Sequence, residues 1–200
     1  MNLFLETLAT IFGILSVWYA RNNKIYVFPT GIVSVLIFAY ITFINKIYAE
    51  TGINIYYFVM SVYGWVLWGS KNKKIQKKIS FSSKGEIIFS ITISIIFYII
   101  IYTILKNTDS DVIMLDSLTT SLSLTAMLLL ARRKIENWIF WIIADLIYIP
   151  LFFYKGLYIA SLQYFVFLIL ATSGYFEWKK NIKKWKESQL LVLNHLEKLP

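Results

Sequence analysis

The stretch from Ile87 to Leu105 reads IIFSITISIIFYIIIYTIL and contains no charged residue in its 19 positions. As an α-helix, at ~1.5 Å per residue, it would be about 28 Å long. The hydrocarbon core of a bilayer is ~30 Å thick. Strands are usually only ~3–10 residues long. Despite its many isoleucines, the stretch is therefore predicted to be a membrane-spanning helix.

The composition of the whole chain supports a membrane location. Hydrophobic residues make up 58% and charged residues 16%, against ~45–50% and ~25% in soluble domains. A soluble protein of 200 residues has too much surface to hide so many apolar side chains. We predict an all-α integral membrane protein with seven transmembrane helices, at residues 3–20, 25–44, 52–70, 87–105, 112–131, 137–154 and 156–176.

Several classes of chemistry are excluded by what the chain lacks. It has no cysteine, and its one histidine, His195, lies in the polar C-terminal segment. Neither Gly-x-x-x-x-Gly-Lys nor Gly-x-Gly-x-x-Gly occurs, so no nucleotide-binding loop is indicated. We therefore predict no metal, no cofactor and no catalytic residue. A membrane-embedded enzyme is the distant alternative and would require a paired acid and base.

The basic residues are distributed unevenly between the two ends of the predicted helices. Of the 20 lysines and arginines, 17 lie at one end and only Lys46, Lys106 and Lys155 at the other. Positive residues flanking spans mark the cytoplasmic side. We predict a cytoplasmic-membrane protein with its N-terminus outside and its C-terminus inside. The same charges suit contact with anionic lipid, so no nucleic-acid partner is predicted.

An internal repeat relates the first part of the chain to the last at one constant offset. Gly64 and Trp68 correspond to Gly174 and Trp178, and Phe28 corresponds to Trp138. The pattern predicts a 3+1+3 parallel-repeat architecture of the kind found in some transporters, the SWEETs among them, with a substrate site between the repeats near mid-membrane. The predicted units are a first three-helix bundle (1–70), a basic loop with linker helix 4 (71–111), a second bundle (112–178) and a cytoplasmic basic tail (179–200).

The sixth predicted helix carries the strongest candidate site. Trp138, Trp141 and Asp145 follow one another at i, i+3 and i+7, so they share one face. A carboxylate inside hydrocarbon costs at least ~2.5–3.5 kcal/mol and usually lines a pathway, and indole faces attract cations. A flat, cationic, hydroxyl-bearing ligand fits this set. The alternatives are that Trp138 belongs to an interfacial aromatic belt and that Asp145 is a structural helix–helix hydrogen bonder.

Other polar residues inside the predicted spans extend the candidate site. Asp116 and Thr120 share a face of the fifth helix, Asn54 and Tyr57 lie on the third, and Gln163 lies early in the seventh. Hydroxyl-bearing side chains in spans more often serve interhelical packing. Asp116 lies near the outer boundary, where solvation alone would account for its charge.

Four stretches resemble the PnuC family of bacterial vitamin transporters. They are Glu136–Trp141 (ENWIFW), Phe152–Tyr158 (FFYKGLY), Tyr63–Trp65 (YGW) and Val17–Tyr19 (VWY). The resemblance implies a 3+1+3 architecture and a homotrimer. It also implies facilitated diffusion of nicotinamide riboside, which a cytosolic kinase traps by phosphorylation.

The resemblance leaves two vitamins open as substrate. Members that carry nicotinamide riboside often have Trp-x-x-Trp-x-x-x-Asn, and this chain has Asp145 at the last position, as in thiamine-carrying relatives. Phe28–Gly31 (FPTG) and Gln163–Tyr164, in contrast, are similar to members assigned to nicotinamide riboside. Both ligands carry a cationic heteroaromatic ring, so the residues of the predicted site suit either.

Overall fold

The structure is a computed structural model that describes residues 3–71, 78–107 and 112–196, with the backbone alone from residue 190 onward. The described residues form seven α-helices, and the one β-type pairing among them is an isolated bridge between Ser80 and Lys134. The all-helical prediction is thereby confirmed. The helices are α1 (Leu3–Arg21), α2 (Val27–Ile44), α3 (Tyr48–Gly69), α4 (Lys84–Leu105), α5 (Ile113–Ala131), α6 (Asn137–Tyr154) and α7 (Tyr158–Leu196).

Six of these helices, all but α3, are long and apolar enough to cross a membrane. The chain is therefore a multi-pass membrane protein. α3 has sufficient length, with 22 residues, but Glu50, Asn54 and its tyrosines make it more polar than the others. It nevertheless packs along both α2 and α5, so it forms one wall of the helical bundle. A more polar helix in that position can line an internal cavity.

The boundaries of α3 and α7 differ most from those predicted by hydropathy. α3 begins at Tyr48, where position 52 was predicted, so Glu50 belongs to its first turn. α7 continues for 39 residues to Leu196, about 58 Å at ~1.5 Å per residue. Hydropathy falls near residue 176 because the apolar span ends there, while the helical backbone continues beyond it.

The principal helix contacts form a closed ring. They run from α1 to α2, α3, α5, α6 and α7 and back to α1, and α4 packs on the outside of α5. Ser90 is the one buried residue of α4, whereas most of the apolar stretch of α5 is buried. Most isoleucines of α4 therefore face lipid, and α5 forms an inner wall.

The two halves of the ring have matching geometry. The bounds of α5 and α6 follow those of α1 and α2 at one constant offset along the chain, and the starts of α3 and α7 are separated by the same offset. Left-handed backbone conformations recur at the same offset. Asn23 (φ 52°) corresponds to Arg133 (φ 56°), and Lys46 (φ 62°) corresponds to Gly156 (φ 74°). The turns between successive helices of each half are therefore alike.

Close contacts within each half also correspond. A Cβ added at Gly64 would collide with the ring of Phe28, and one added at Gly174 would lie 2.7 Å from the ring of Trp138. Only glycine at these positions lets the third helix of each half approach the aromatic side chain of the second. In both halves the side chain at the start of the second helix thereby fixes the distance to the third.

Two tryptophans connect the halves. The indole N–H of Trp68, at the end of α3, donates to the carbonyl of Ala131 at the end of α5, with an N···O distance of 3.1 Å. The indole N–H of Trp178 in α7 donates to the carbonyl of Ala20 at the end of α1 over 2.9 Å. Each bond satisfies a carbonyl that a helix end leaves without an intrahelical partner. The ends of α1, α3 and α5 therefore meet at one end of the bundle, which we call the basic face.

A short segment ahead of α4 crosses this face. Residues 78–83, which we call the strap, pair with the turn between α5 and α6: the Ser80 N–H donates to the Arg133 carbonyl, and the Ile135 N–H to the Ser80 carbonyl. Ser82 donates from both its N–H and its hydroxyl to the two carboxylate oxygens of Glu136. The strap thus joins the start of α4 to the second half of the ring.

The tight contact at Gly174 yields a first prediction. Gly174→Ala should destabilise the protein by about 1–3 kcal/mol, because the new methyl group overpacks the Trp138 ring. Gly52→Ala is the matched control, since a Cβ there meets no atom within 4 Å. Thermal unfolding in detergent, followed by circular dichroism, measures both. Equal melting temperatures for the two variants would contradict the packing described here.

Candidate functional site

One face of α6 lines a small cavity between the two halves of the ring. Trp138, Trp141 and Asp145 all contribute to its wall, as the i, i+3, i+7 spacing predicts. The cavity has a volume of about 110 Å³ and is otherwise apolar. Its remaining lining residues are Val17, Ala20, Val27, Leu130, Phe167 and Ala171.

Asp145 is the polar group of this cavity. The residue is only 2% exposed, and no hydrogen-bond partner for its carboxylate is found among the residues that the structure describes. A helix–helix hydrogen bonder would have such a partner, so the described residues give no support to the structural alternative for Asp145. A buried carboxylate without a partner is costly, and a ligand that supplies a charge or donors would remove that cost.

Trp138 forms a fixed wall of the same cavity. It is 2% exposed, and its ring meets that of Trp178 edge to face at 5.5 Å between centroids. Its indole nitrogen is buried and has no hydrogen-bond partner in the described part of the chain. Tryptophans of an interfacial belt face the headgroups, so the burial of Trp138 excludes that alternative. Trp141, one turn on, is half-buried.

A second, larger cavity of about 390 Å³ lies toward the opposite end of the bundle and is lined by Tyr57, Asp116 and Thr120, together with Glu50 and Lys155. The Lys155 ammonium donates to both carboxylate oxygens of Asp116, over 2.8 and 2.9 Å. This ion pair joins α5 to the turn between α6 and α7. The cavity mouth therefore carries two carboxylates and one ammonium group.

Aromatic side chains of α6 and α7 separate the two cavities. Tyr148 and Tyr164 stack at 4.3 Å between ring centroids, and Phe152 lies parallel to Tyr164 at 5.1 Å. Phe167, which meets Tyr164 edge to face, belongs to the wall of the smaller cavity, whereas the three stacked rings line the larger one. A solute moving between the cavities would have to displace this stack.

The predicted site residues thus divide into three groups. Trp138, Trp141 and Asp145 line the smaller cavity, and Tyr57, Asp116 and Thr120 line the larger. The other two predicted residues line neither. The amide of Asn54 donates to the Glu50 carbonyl of its own helix, and Gln163 is half-buried beside Tyr164.

Some residues of the larger cavity were not predicted from the sequence. Glu50 had been placed in a loop because α3 was predicted to start at position 52. Lys155 had been counted only as a charge that defines topology. Tyr148 extends the α6 face that holds Asp145, as its i, i+3 spacing from Asp145 indicates. Tyr164 was noted only as part of the Gln163–Tyr164 pair, which resembles family members assigned to nicotinamide riboside.

The inner wall formed by α5 is rich in hydroxyl groups. The hydroxyls of Thr119, Ser121 and Thr125 donate to carbonyls of their own helix, not to a neighbouring one. Those of Ser117 and Ser123 are buried, and no partner in the described ranges meets hydrogen-bond geometry. Ser123 nevertheless lies close enough to tyrosine hydroxyls of α3 and α6 to interact with them. The wall therefore offers hydroxyl groups to the interior of the ring.

Comparison with known proteins yields a family match over most of the chain. The sequence model of the family described as Nicotinamide mononucleotide transporter matches residues 3–180. The nicotinamide riboside transporter PnuC of Escherichia coli (strain K12) is 25% identical over 219 aligned positions, covering 96% of this chain and 90% of that protein. The protein of the same name from Neisseria mucosa is 25% identical over 194 positions, covering 90% and 74%.

A solved structure shares the fold. The crystal structure of the vitamin B3 transporter PnuC superposes with a TM-score of 0.71 at 24% sequence identity, covering 92% of this chain and 83% of that one. The similarity extends over nearly all the helices described above. With the family match over residues 3–180, the predicted relationship is confirmed, and the chain belongs to the nicotinamide mononucleotide transporter family, whose curated members include the PnuC proteins.

Proposed function

We propose that this protein carries nicotinamide riboside into the cell by facilitated diffusion. The observation that carries the proposal is Asp145, a buried carboxylate without a described partner that faces a cavity walled by two tryptophans. The matched relatives are transporters, so an enzymatic role is set aside. Two of these relatives are named for nicotinamide riboside.

The chemistry of the smaller cavity suits this ligand. A pyridinium ring is flat and cationic, so it can stack on the face of Trp141 and neutralise the charge of Asp145. The ribose carries hydroxyl groups that can pair with the same carboxylate. At about 110 Å³ the cavity is smaller than typical ligand sites of ~300–1,000 Å³. Binding therefore requires the walls to open, and displacement of the Tyr148–Tyr164 stack would supply the space.

Thiamine is the second candidate, and Asp145 is the observation that favours it. Thiamine also carries a cationic heteroaromatic ring, and the thiamine-carrying relatives are those that the carboxylate resembles. The two vitamins differ in that nicotinamide riboside has a ribose and thiamine an aminopyrimidine. Binding of both by the purified protein, measured side by side, decides between them.

Several features of the transport cycle belong to the same proposal. The matching bounds of the two halves favour a 3+1+3 parallel-repeat architecture with α4 as the linker. The two cavities would then be successive stations of one pathway, opened alternately. Assembly as a homotrimer and retention of the vitamin by a cytosolic kinase are part of the proposal and follow the family resemblance.

The ion pair between Asp116 and Lys155 favours transport that is not coupled to an ion gradient. A coupled carrier needs a titratable or ion-binding group that is free to change its partner. Asp116 and Glu50 are the candidates in the larger cavity, and Asp116 is already held by Lys155 at 2.8 Å. No group of three or more histidine, cysteine or acidic side chains suited to a metal ion occurs in the described residues.

Asp145→Asn tests the site directly. The variant removes the charge but keeps the shape and one acceptor, and a hydrogen bond to a charged group is worth ~1.5–3 kcal/mol. The affinity for the preferred vitamin should therefore fall roughly 10- to 150-fold, as measured by calorimetry on purified protein. Trp141→Ala should weaken binding more than Trp141→Phe, because phenylalanine keeps an aromatic face.

The abundance of the variant in the membrane is the control for this test. A site residue gives normal abundance and poor binding, whereas a structural residue gives low abundance and normal affinity in the protein that remains. Wild-type affinity for both vitamins in a well-expressed Asp145→Asn protein would exclude Asp145 from the site.

The proposed orientation can be tested with single cysteines, because the chain has none of its own. One is placed at Asn2, which lies outside the described residues, and one at the exposed Ser188. A membrane-impermeant thiol reagent applied to intact cells should label position 2 and spare position 188. The reverse pattern would invert the orientation.

Energetics provide a further test. In proteoliposomes that contain no kinase, internal vitamin should rise to the external concentration and stop there, whatever proton or sodium gradient is imposed. Accumulation above that level, driven by either gradient, would contradict facilitated diffusion and identify Asp116 as the first residue to examine.

A further inference from the structure

We propose that a cleft on the basic face binds a phosphate-bearing anion. The cleft has a volume of about 310 Å³. It lies where the strap, the α1–α2 turn, the α5–α6 turn and the C-terminal part of α7 come together, and it is separate from both cavities of the proposed transport pathway. Its lining residues are Asn23, Lys78, Ile79, Ser80, Arg133, Asn181, Ile182 and Trp185.

Two cationic side chains are held in place by aromatic rings at this cleft. The Arg133 guanidinium lies 4.0 Å from the centroid of the Trp68 ring, and the Lys78 ammonium lies 5.3 Å from that of Trp185. Desolvation lowers the pKa of Arg133 to about 10, so Arg133 remains charged at neutral pH. A guanidinium fork matches the geometry of phosphate oxygens.

The uncharged lining residues also suit an anion. Asn23 has a buried amide oxygen atom without a partner in the described residues, and the oxygen and nitrogen of an amide exchange places when the group flips. After that flip Asn23 presents N–H donors to the cleft. Asn181 and Ser80 can add further donors, and no carboxylate is among the described residues that line it.

Two carboxylates beside the strap are engaged with other groups. Glu136 accepts two hydrogen bonds from Ser82, and Glu86 pairs with Lys134 at 2.8 Å. Neither of them lines the cleft. The cleft therefore differs from the ordinary basic surface of a membrane protein, whose lysines extend into solvent and only mark topology.

The volume and the aromatic wall indicate what kind of phosphate compound fits. Sites for small ligands start at ~300 Å³. The Trp185 ring also offers a surface on which a flat group attached to the phosphate can stack. Two sources supply this chemistry: a free phosphorylated small molecule in the cytosol and the headgroup of an anionic lipid. Both share the phosphate group that Arg133 and Lys78 would bind.

Binding at this cleft would act on the basic face, where packed aromatic side chains close the proposed transport pathway. Ile79 and Ile182 line the cleft and also pack into the aromatic cluster that contains Phe28, Trp68 and Trp178. A bound phosphate would join the strap to both turns and to α7 beneath that cluster. This consequence rests on the proposed transport function and orientation, whereas binding itself requires neither.

The test measures the binding of AMP and of adenosine to the full chain in a neutral detergent. AMP should bind, and adenosine should bind at least about 10-fold more weakly because it lacks the phosphate. Lys78→Gln combined with Arg133→Asn should weaken AMP binding about 10-fold or more. Asparagine suits the left-handed backbone of position 133 and is the residue at the matching position 23. Lys179→Gln combined with Lys180→Gln is the control, since it removes two exposed charges of the same face that do not line the cleft.

A second arm distinguishes the lipid source. The same proteins are purified from vesicles of phosphatidylglycerol and phosphatidylcholine, and retained lipid is measured by mass spectrometry. Selective loss of phosphatidylglycerol from the cleft variant, without AMP binding to the wild type, would assign the site to a headgroup. If the cleft variant does not fold, Lys78→Gln alone carries the test, because Lys78 is exposed.

Three results would overturn the proposal: equal effects of the cleft and control variants, adenosine binding as tight as AMP binding, or no anion bound in either arm. Trp141→Ala separates this test from that of the transport function. It should abolish vitamin binding and leave AMP binding unchanged, so either proposal can fail alone.

Discussion

A hydrocarbon bilayer supplies no hydrogen bond, and this constraint determines where the polar side chains of the chain lie. From Ile87 to Leu105, α4 has no polar group to protect beyond a few hydroxyls and faces lipid, whereas α5 carries five buried serines and threonines and forms the inner wall of the ring. Asp145 and the Asp116–Lys155 pair face cavities inside the bundle. The arrangement of the helices follows from hiding these groups, because apolar side chains gain little from leaving lipid for the interior.

The same constraint explains how the basic end of the ring is closed. The indoles of Trp68 and Trp178 bury large apolar surfaces, and each also donates to a carbonyl at a helix end. The two rings are 6.0 Å apart, and Phe28 and Trp138 pack edge to face against them. Small changes in such a packed cluster are not absorbed gradually. The closed end is therefore suited to two discrete states, as the proposed alternating access would require.

The sequence predicts the helices well where hydropathy and length are sufficient, and the bounds of α6 were predicted to the residue. The predicted bounds are wrong at α3 and α7, because hydropathy shows which residues favour the bilayer and not where the helical backbone begins or ends. Glu50, for example, lies in the first turn of α3, which was predicted to begin at position 52. Helical spacing brought Trp138, Trp141 and Asp145 together correctly. Asn54 was named for its place beside Tyr57 on the third helix, and Gln163 for its polarity and for the resemblance of Gln163–Tyr164. Neither pattern tells which way a side chain points. The partners across the ring, such as Lys155 for Asp116, depend on tertiary packing that no local pattern contains.

In the proposed site, Asp145 raises the question of why a carrier would hold a carboxylate at a position where an amide could also bind the ribose hydroxyls. A cationic vitamin bound to Asp145 forms a neutral pair, so the loaded protein presents no net charge at the centre of the ring. In the empty protein the carboxylate stays buried, at a cost of at least ~2.5–3.5 kcal/mol. That cost raises the ground state of the empty site and thereby strengthens selection of a cationic ligand over a neutral analogue. The rest of the described cavity wall is apolar and offers the carboxylate no compensating group. Charge selection in the proposed site therefore follows from the burial of Asp145 among apolar side chains.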